Sequence, residues 1–435
     1  MQSAPTNPAS GRAASSCANH KKRERVATCG ACGSFLCTDC IVHTAVGVKC
    51  RRCTGGAAAT SPTASARARH AAAGKRRRWA APVALAGAVF VVVGAVAFLG
   101  RDGGGSTDEP DIALDGGGVT ATEFNDGSFV DRPVDFRGGG GQRIGATLTI
   151  PSQLGGGRAP GVLIVPGGGA QDRNGGITLE GSLPDPLYQD LAESFAGSGL
   201  VSLRYDRRAS RALQLPPGTP LTWDDLVADA RAGLEFLSQR RETQDQPITV
   251  VGYDQGGFIA MVLAADPRVK GVVLISTPGR PVPEVLASDF LRGIPDPAKA
   301  QAVSDQMRAA AAELVATGSA PNVATMPEEL QLVFSADAAY LRGLFSFDPV
   351  AEAAKVRVPA LVVRGGNDGS ILQGDVDRLT AALARSEPLI SPLGSNTLSL
   401  PPGQEGRFHN PSRHGTTRDG DAVFAMSEWV KNTAR

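Results

Sequence analysis

From Gly145 to Pro151 the chain reads GATLTIP, alternating small or apolar with polar positions at the period of a half-buried strand. Short apolar runs follow at GVLIVP (161 to 166), VSLRYD (201 to 206), VVGYD (250 to 254), KGVVLIS (270 to 276) and PALVVRG (359 to 365), the pattern of strands covered on both faces. Between the second and third runs the period changes. Thr222 to Gln239 carries Leu226, Ala230, Leu234 and Leu237 on one helical face, with Trp223 at its start. Strands alternating with helices predict an α/β fold, a mostly parallel sheet with helices on both faces. From Arg280 to Leu344 the strands stop and Ala-rich helical sequence takes over. A helical cap over about 285–344 is therefore expected above the C-terminal edge of the sheet.

A second pattern precedes this one. Trp79 to Gly100 has no charged residue and lies between Lys75-Arg76-Arg77-Arg78 and Arg101-Asp102. At about 1.5 Å per residue such a run crosses a hydrocarbon core of roughly 30 Å, and it is too long and too far into the chain for the apolar core of a signal peptide. Charge and cysteine usage divide at the same place. Residues 1–78 hold 14 Lys+Arg against 2 Asp+Glu, residues 101–435 hold 30 against 41, and all seven cysteines lie between Cys17 and Cys53. The basic flank predicts a single-pass cell-membrane protein with its N-terminus in the cytoplasm and its large domain outside. The expected order is a disordered 1–16, a Cys-rich module at 17–53, a basic flexible linker at 54–78, a transmembrane helix at 79–100, a Gly/acidic linker at 101–120 and a globular domain at 121–435. The basic residues lack interleaved aromatics, so anionic lipid headgroups fit them better than nucleic acid.

The Cys-rich module spaces its candidate ligands as Cys17-x2-His20-x8-Cys29-x2-Cys32-x4-Cys37-x2-Cys40-x9-Cys50-x2-Cys53. Eight ligands in four close pairs suit two tetrahedral zinc ions, because a two-residue spacer lets both ligand atoms of a pair reach one metal. Such sites are closed and structural, giving a short segment folding energy and a surface for a cytoplasmic protein partner. The segment resembles the B-box-like zinc domain that precedes the membrane region of some actinobacterial rhomboid proteases, down to its AVGVKCRRC ending. A cross-braced arrangement of that kind would put Cys17, His20, Cys37 and Cys40 on one zinc and Cys29, Cys32, Cys50 and Cys53 on the other.

The chemistry of the large domain turns on PITVVGYDQGG, residues 247 to 257. An apolar strand runs into a turn with small residues on either side of Asp254, the layout that projects a nucleophile from a sharp strand-to-helix elbow. From about Pro133 onward the sequence resembles the α/β-hydrolase family, near serine aminopeptidases and dienelactone-hydrolase-like esterases. Pro166 to Gly175 matches its Gly-rich loop, which with the residue after the nucleophile implies oxyanion-hole donors at Gly168, Gly169 and Gln255. Leu203-Arg204-Tyr205-Asp206-Arg207 matches a further block, although Ala209 and Ser210 stand where glycine is expected. Asp266-Pro267-Arg268-Val269, Pro278-Gly279-Arg280-Pro281 and Phe347-Asp348-Pro349 match as well.

The same resemblance implies a triad acid at Asp368, in RGGND, and a triad histidine within Leu393-Gly394-Ser395-Asn396-Thr397, where Thr397 takes its place. Asp254 stands where the family carries serine. Threonine is no base near neutral pH, so both the acyl-enzyme route and hydrolysis of an alkyl ester on Asp254 lack a group to activate water. Only His409 and His414, in the polar GRFHNPSRHGTTRDGD, remain in this domain to act as a base. The expectation is a catalytically degenerate domain, a pseudoenzyme, that binds a small-molecule or peptide ligand or a partner. The alternative is an active esterase, epoxide or haloalkane hydrolase with Asp254 as nucleophile and a relocated histidine. A third class is a signalling adaptor, in which the zinc module recruits a cytoplasmic partner.

Overall fold

A computed structural model of the chain describes short segments between Ala27 and Cys50, and then residues 124–125, 127–176, 185–208, 210, 220–401 and 417–434. The chain divides into two compact units, Met1–Trp79 and Ala80–Arg435. In the first, strands β1 (Ala27–Thr28) and β2 (Phe35–Leu36) pair antiparallel, as do β3 (Ile41–Thr44) and β4 (Gly47–Cys50). Of the eight candidate zinc ligands, Cys40 is buried just before β3 and Cys50 ends β4. Cys17, His20, Cys29, Cys32, Cys37 and Cys53 lie outside the described residues, as do 1–16, both linkers and the apolar run 79–100. Among the described residues no helix is long and apolar enough to cross a membrane.

The second unit is built on a nine-stranded sheet. Its strands are β5 (Phe124–Asn125), β6 (Phe129–Arg137), β7 (Arg143–Pro151), β8 (Gly161–Val165), β9 (Val201–Tyr205), β10 (Ile248–Tyr253), β11 (Val269–Ile275), β12 (Ala360–Gly365) and β13 (Ser386–Ser391), in the spatial order β13-β12-β11-β10-β8-β9-β7-β6-β5. The six strands from β9 through β8 to β13 run parallel, and β7, β6 and β5 extend one edge antiparallel. The period of two explains why these strands are apolar throughout. Leu163, Val165 and Val250 enter one core, while Val162, Ile164 and Val251 enter the core on the opposite face.

Helix α1 (Leu187–Gly197) covers the second face with Leu187, Tyr188, Leu191 and Phe195. Helices α2 (Trp223–Ser238) and α3 (Gln255–Leu263) cover the first. Thr222 caps α2 reciprocally with Asp225, so the helix starts one residue inside the stretch expected from periodicity. Between β11 and β12 the chain forms α4 (Val282–Gly293), α5 (Pro297–Thr317), α6 (Glu328–Phe334) and α7 (Ala338–Phe345), the helices of the cap, and then the short α8 (Pro349–Ala353). Helices α9 (Gln373–Ala382) and α10 (Gly420–Thr433) complete the unit, with Val423, Met426 and Val430 of α10 joining the second core. From β8 the chain adds β9 on one side, then crosses back to place β10 on the other. The loops leaving β8 and β10 therefore diverge around a crevice at the carboxyl ends of the strands, where ligands of open α/β sheets bind.

Candidate active site

Asp254 sits between β10 and α3 with φ 51° and ψ −118°, a conformation that costs a non-glycine residue about 1–3 kcal/mol and persists only where its surroundings enforce it. The surroundings here are backbone. Asp254 N–H donates to Ile275 O at 2.9 Å, and Gly257 N–H donates to Asp254 O at 3.0 Å. The flanking glycines are obligatory: a Cβ on Gly252 would lie 2.2 Å from Gly256 O, and one on Gly256 would lie 2.3 Å from Val165 O. Strand, turn and helix thus meet too closely for side chains, and the elbow pushes the Asp254 side chain into the crevice.

Gly168 N–H, in the loop after β8, donates to Asp254 Oδ2 at 3.0 Å. Gln255 N–H, at the start of α3, also bonds this carboxylate. These are two of the three donors that the resemblance assigns to an oxyanion hole, and here the nucleophile-position side chain itself occupies them. Gly169 contributes the turn, with φ +85°. Asp254 is only 7% exposed, and burial lifts its carboxyl to about 6 against the opposing pull of the Gly168 and Gln255 N–H groups and of Arg207.

A polar network behind the elbow fixes Gln255. Arg207 Nη2 donates to Gln255 Oε1 at 3.1 Å and to the Tyr340 hydroxyl at 3.1 Å, and Arg207 Nη1 bonds Gly167 O. Tyr340 belongs to cap helix α7, so the cap and the elbow share one set of hydrogen bonds.

In front of Asp254 lies a cleft of about 360 Å³. Asp368, after β12, lines it, with Oδ1 accepting from Ser370 N–H and Ile371 N–H at 3.0 Å each. Burial raises the Asp368 carboxyl, while the Ile371 and Ser370 amides pull it down. Asp289, on cap helix α4, lines the cleft as a third carboxylate and is lifted to about 6 by burial, with Arg292 opposing. The loop after β13 reaches the cleft through Asn396, whose Nδ2 donates to the Tyr253 hydroxyl at 2.9 Å and whose backbone O accepts from Ser276 Oγ at 2.7 Å. The Thr397 side chain does not line the cleft. Its hydroxyl bonds Ser395 Oγ at 3.2 Å and Ser399 Oγ at 2.9 Å.

The structure therefore brings Asp254, Gly168, Gln255 and Asp368 together, and it puts Asn396 where the motif match has Thr397. His409 and His414 lie outside the described residues. Among the described residues no group of three or more His, Cys, Asp or Glu could hold a metal ion. Asp289 escaped the sequence reading because a single aspartate in an Ala-rich helical stretch gives no periodic or motif signal. Arg207 and Tyr340 are 133 residues apart in sequence, and only the fold joins them.

The model of the alpha/beta hydrolase family matches residues 162–395, more than half of the chain. The chain is similar to Esterase EstD of Thermotoga maritima, with 26% identity over 248 residues, which cover 57% of this chain and 54% of that protein. It thus spans about half the length of that curated relative. Among solved structures, Est1E from Butyrivibrio proteoclasticus is similar over 69% of this chain and 96% of its own, at 13% identity and a TM-score of 0.41. Acetyl Xylan Esterase 1 from Thermoanaerobacterium sp. JW/SL YS485 is similar over 72% of this chain and 86% of its own, at 16% identity and a TM-score of 0.43.

Proposed function

Since this chain belongs to the alpha/beta hydrolase family, we propose that its Ala80–Arg435 unit is a ligand-binding member whose acyl-transfer machinery Asp254 closes. The observation that carries this is the Gly168 N–H to Asp254 Oδ2 hydrogen bond at 3.0 Å. Ester cleavage needs that N–H for the oxygen that becomes negative in the transition state. A buried carboxylate already holds it, and its charge repels a second oxyanion at the same place. What remains is a cleft with apolar walls and fixed polar groups, suited to holding a ligand. The test is hydrolysis of p-nitrophenyl acetate and butyrate by the full-length protein. The expected rate equals that of Asp254→Asn, and a rate clearly above that variant's would overturn the reading.

One observation favours a second reading. The elbow keeps its strained φ of 51° with the carboxylate on the cleft, the presentation that a nucleophile attacking carbon requires. The similarity to Esterase EstD also supports retained hydrolysis. An Asp254 alkyl ester would form on an epoxide or haloalkane, and His409 or His414 would have to supply the base. Intact mass after exposure to 1,2-epoxybutane and 1-bromobutane separates the two: an adduct lost in Asp254→Asn supports covalent chemistry.

The proposal extends to the rest of the chain. Trp79–Gly100 anchors the protein in the cell membrane with the globular domain of residues 121–435 outside, and the Cys-rich module binds two structural zinc ions in the cytoplasm and docks a protein partner there. Two zinc ions per chain by elemental analysis, and protease accessibility of the large unit from outside intact cells, are the expected results.

A further inference from the structure

Arg207 is a buried cation that pairs with no Asp or Glu among the described residues. It is 3% exposed, whereas the guanidiniums of its neighbours Arg204 and Arg208 meet the carboxylates of Asp131 and Asp229 at 2.6 Å each. A guanidinium stays ionised in a protein, and an ion out of water costs free energy unless hydrogen bonds and a counter-charge offset it. Hydrogen bonds do not complete Arg207, because its Nε is buried without a partner. The missing element is an anion.

Its remaining bonds lead to one. Arg207 Nη1 donates to Gly167 O, and that carbonyl belongs to the same peptide group as Gly168 N–H, which donates to Asp254 Oδ2 at 3.0 Å. The guanidinium thus pulls on one end of a peptide whose other end holds the carboxylate. Gln255 repeats the arrangement: its Oε1 accepts from Arg207 Nη2 at 3.1 Å, while its backbone N–H bonds Asp254. In a low-dielectric interior, linked hydrogen bonds polarise one another, and a cation at one end with an anion at the other strengthens every link.

No other group around Asp254 takes this part. Asp368, after β12, adds like charge, and Tyr188 of α1, Tyr253 of β10 and Tyr340 of α7 are phenols that burial keeps protonated. Arg292, which lines the cleft, pairs with Asp289. We propose that Arg207 is the counter-charge of Asp254 and acts on it through the Gly167–Gly168 peptide and Gln255, as a positioning residue that keeps the elbow carboxylate ionised in its hole. The inference deepens the reading of Asp254 as the occupant of the oxyanion hole and rests on it. The charge has a use on either account of the site: it repels anions from the cleft, and it is the form in which a carboxylate attacks carbon.

The experiment uses the detergent-solubilised full-length protein, 15N-labelled throughout and 13C-labelled at its aspartate carboxyls, titrated by NMR between about pH 4.5 and 9. The Asp254 carboxyl signal is the one absent from Asp254→Asn. Its midpoint is expected at about 6, with the Gly168 amide and the Arg207 guanidinium signals titrating in step. Arg207→Gln, which keeps a donor for Gly167 O and drops the charge, and Arg207→Met should each raise that midpoint by about one pH unit or more, a tenfold tighter hold on the proton. Arg207→Lys should restore most of the difference. Tyr340→Phe removes a hydrogen bond from the same network without touching the charge, so it should leave the midpoint in place even where it lowers stability. Thermal melts show which variants are folded, and the guanidinium signal of the unaltered protein gives the answer if no Arg207 variant is. An unmoved midpoint in a folded Arg207→Gln or Arg207→Met, or Arg207 signals that stay flat while Asp254 titrates, would overturn the inference. A Gly168 amide that ignores the Asp254 titration would instead remove the reading of an occupied hole, and the inference with it.

Discussion

The hydroxyl of Tyr340 donates to Gln255 Oε1 at 2.6 Å and so fastens cap helix α7 to the first residue of the elbow helix. Both residues are fully enclosed, Tyr340 at 1% and Gln255 at 0% exposure. In Tyr340→Phe the ring still fills its place, but Gln255 Oε1 loses the tyrosine donor and keeps the Arg207 bond. The expected loss is about 1–2 kcal/mol of unfolding free energy, the usual cost of deleting one buried partner. Chemical denaturation of the variant measures it. A change indistinguishable from zero would mean that the Arg207 fork alone fixes Gln255.

Asp254 makes stability depend on pH in a direction opposite to that of a salt-bridged carboxylate. Burial raises its pKa from 3.8 to about 6 in the fold, so between these values the native state binds more protons than the unfolded chain. Stability therefore falls as pH rises through that window, and the ionised group costs roughly 3 kcal/mol at pH 7.5 as an upper figure. Asn in its place still offers an oxygen to Gly168 N–H without the charge. Asp254→Asn should unfold at higher denaturant than the parent at pH 7.5 and lose that advantage near pH 3.5. An advantage constant across this range would show that the carboxyl titrates normally.

Asn396 and Asp368 flank Asp254 in the cleft, which fixes where a base must stand for acyl transfer. Asp254→Ser alone leaves the turn without a proton acceptor and should give no p-nitrophenyl acetate hydrolysis. Adding Asn396→His places an imidazole in the cleft with Asp368 behind it, and a positioned general base contributes about 10²–10⁴ in rate. Adding Thr397→His in its place should give none, because that side chain turns toward Ser395 and Ser399. The paired kinetics of the two double variants check this. Equal activity in both, or activity in Asp254→Ser alone, would displace the assignment.

The same loop shows how far the sequence could be read. β8, β10, β11 and β12 were legible because strands covered on both faces must be apolar, and the elbow because glycine is the one residue its crossing tolerates. β13 was not: its SEPLIS is half exposed and has no apolar run. β6 begins at Phe129, ahead of Pro133, from which the resemblance runs, and ahead of Gly145, where the alternation shows. Asn396 lines the cleft and Thr397 does not, in a loop where Leu398 has a φ of 59° and a fully buried side chain. A motif match counts positions along the chain, whereas the path of the loop decides which neighbour faces the cleft. Asp289 belongs to the same class, since its role depends on how α4 lies across the sheet edge.

Two glycine substitutions separate the elbow's steric demand from general helix propensity. A Cβ on Gly256 would meet Val165 O at 2.3 Å and Pro166 O at 2.8 Å, both backbone atoms of β8 and its loop. No rotamer relieves that contact, so Gly256→Ala must move β8 away from α3 and separate Gly168 from Asp254. Strain of this kind costs about 3 kcal/mol or more, within the upper range for overpacking and backbone effects. Gly197, the last residue of α1, has open space around it and no positive φ. Gly197→Ala should therefore stabilise the unit by about 0.5–1 kcal/mol through the unfolded chain. Denaturation of both variants, with the parent as reference, gives opposite signs if the elbow is held by close backbone approach; a tolerated Gly256→Ala would mean that the loop after β8 can yield.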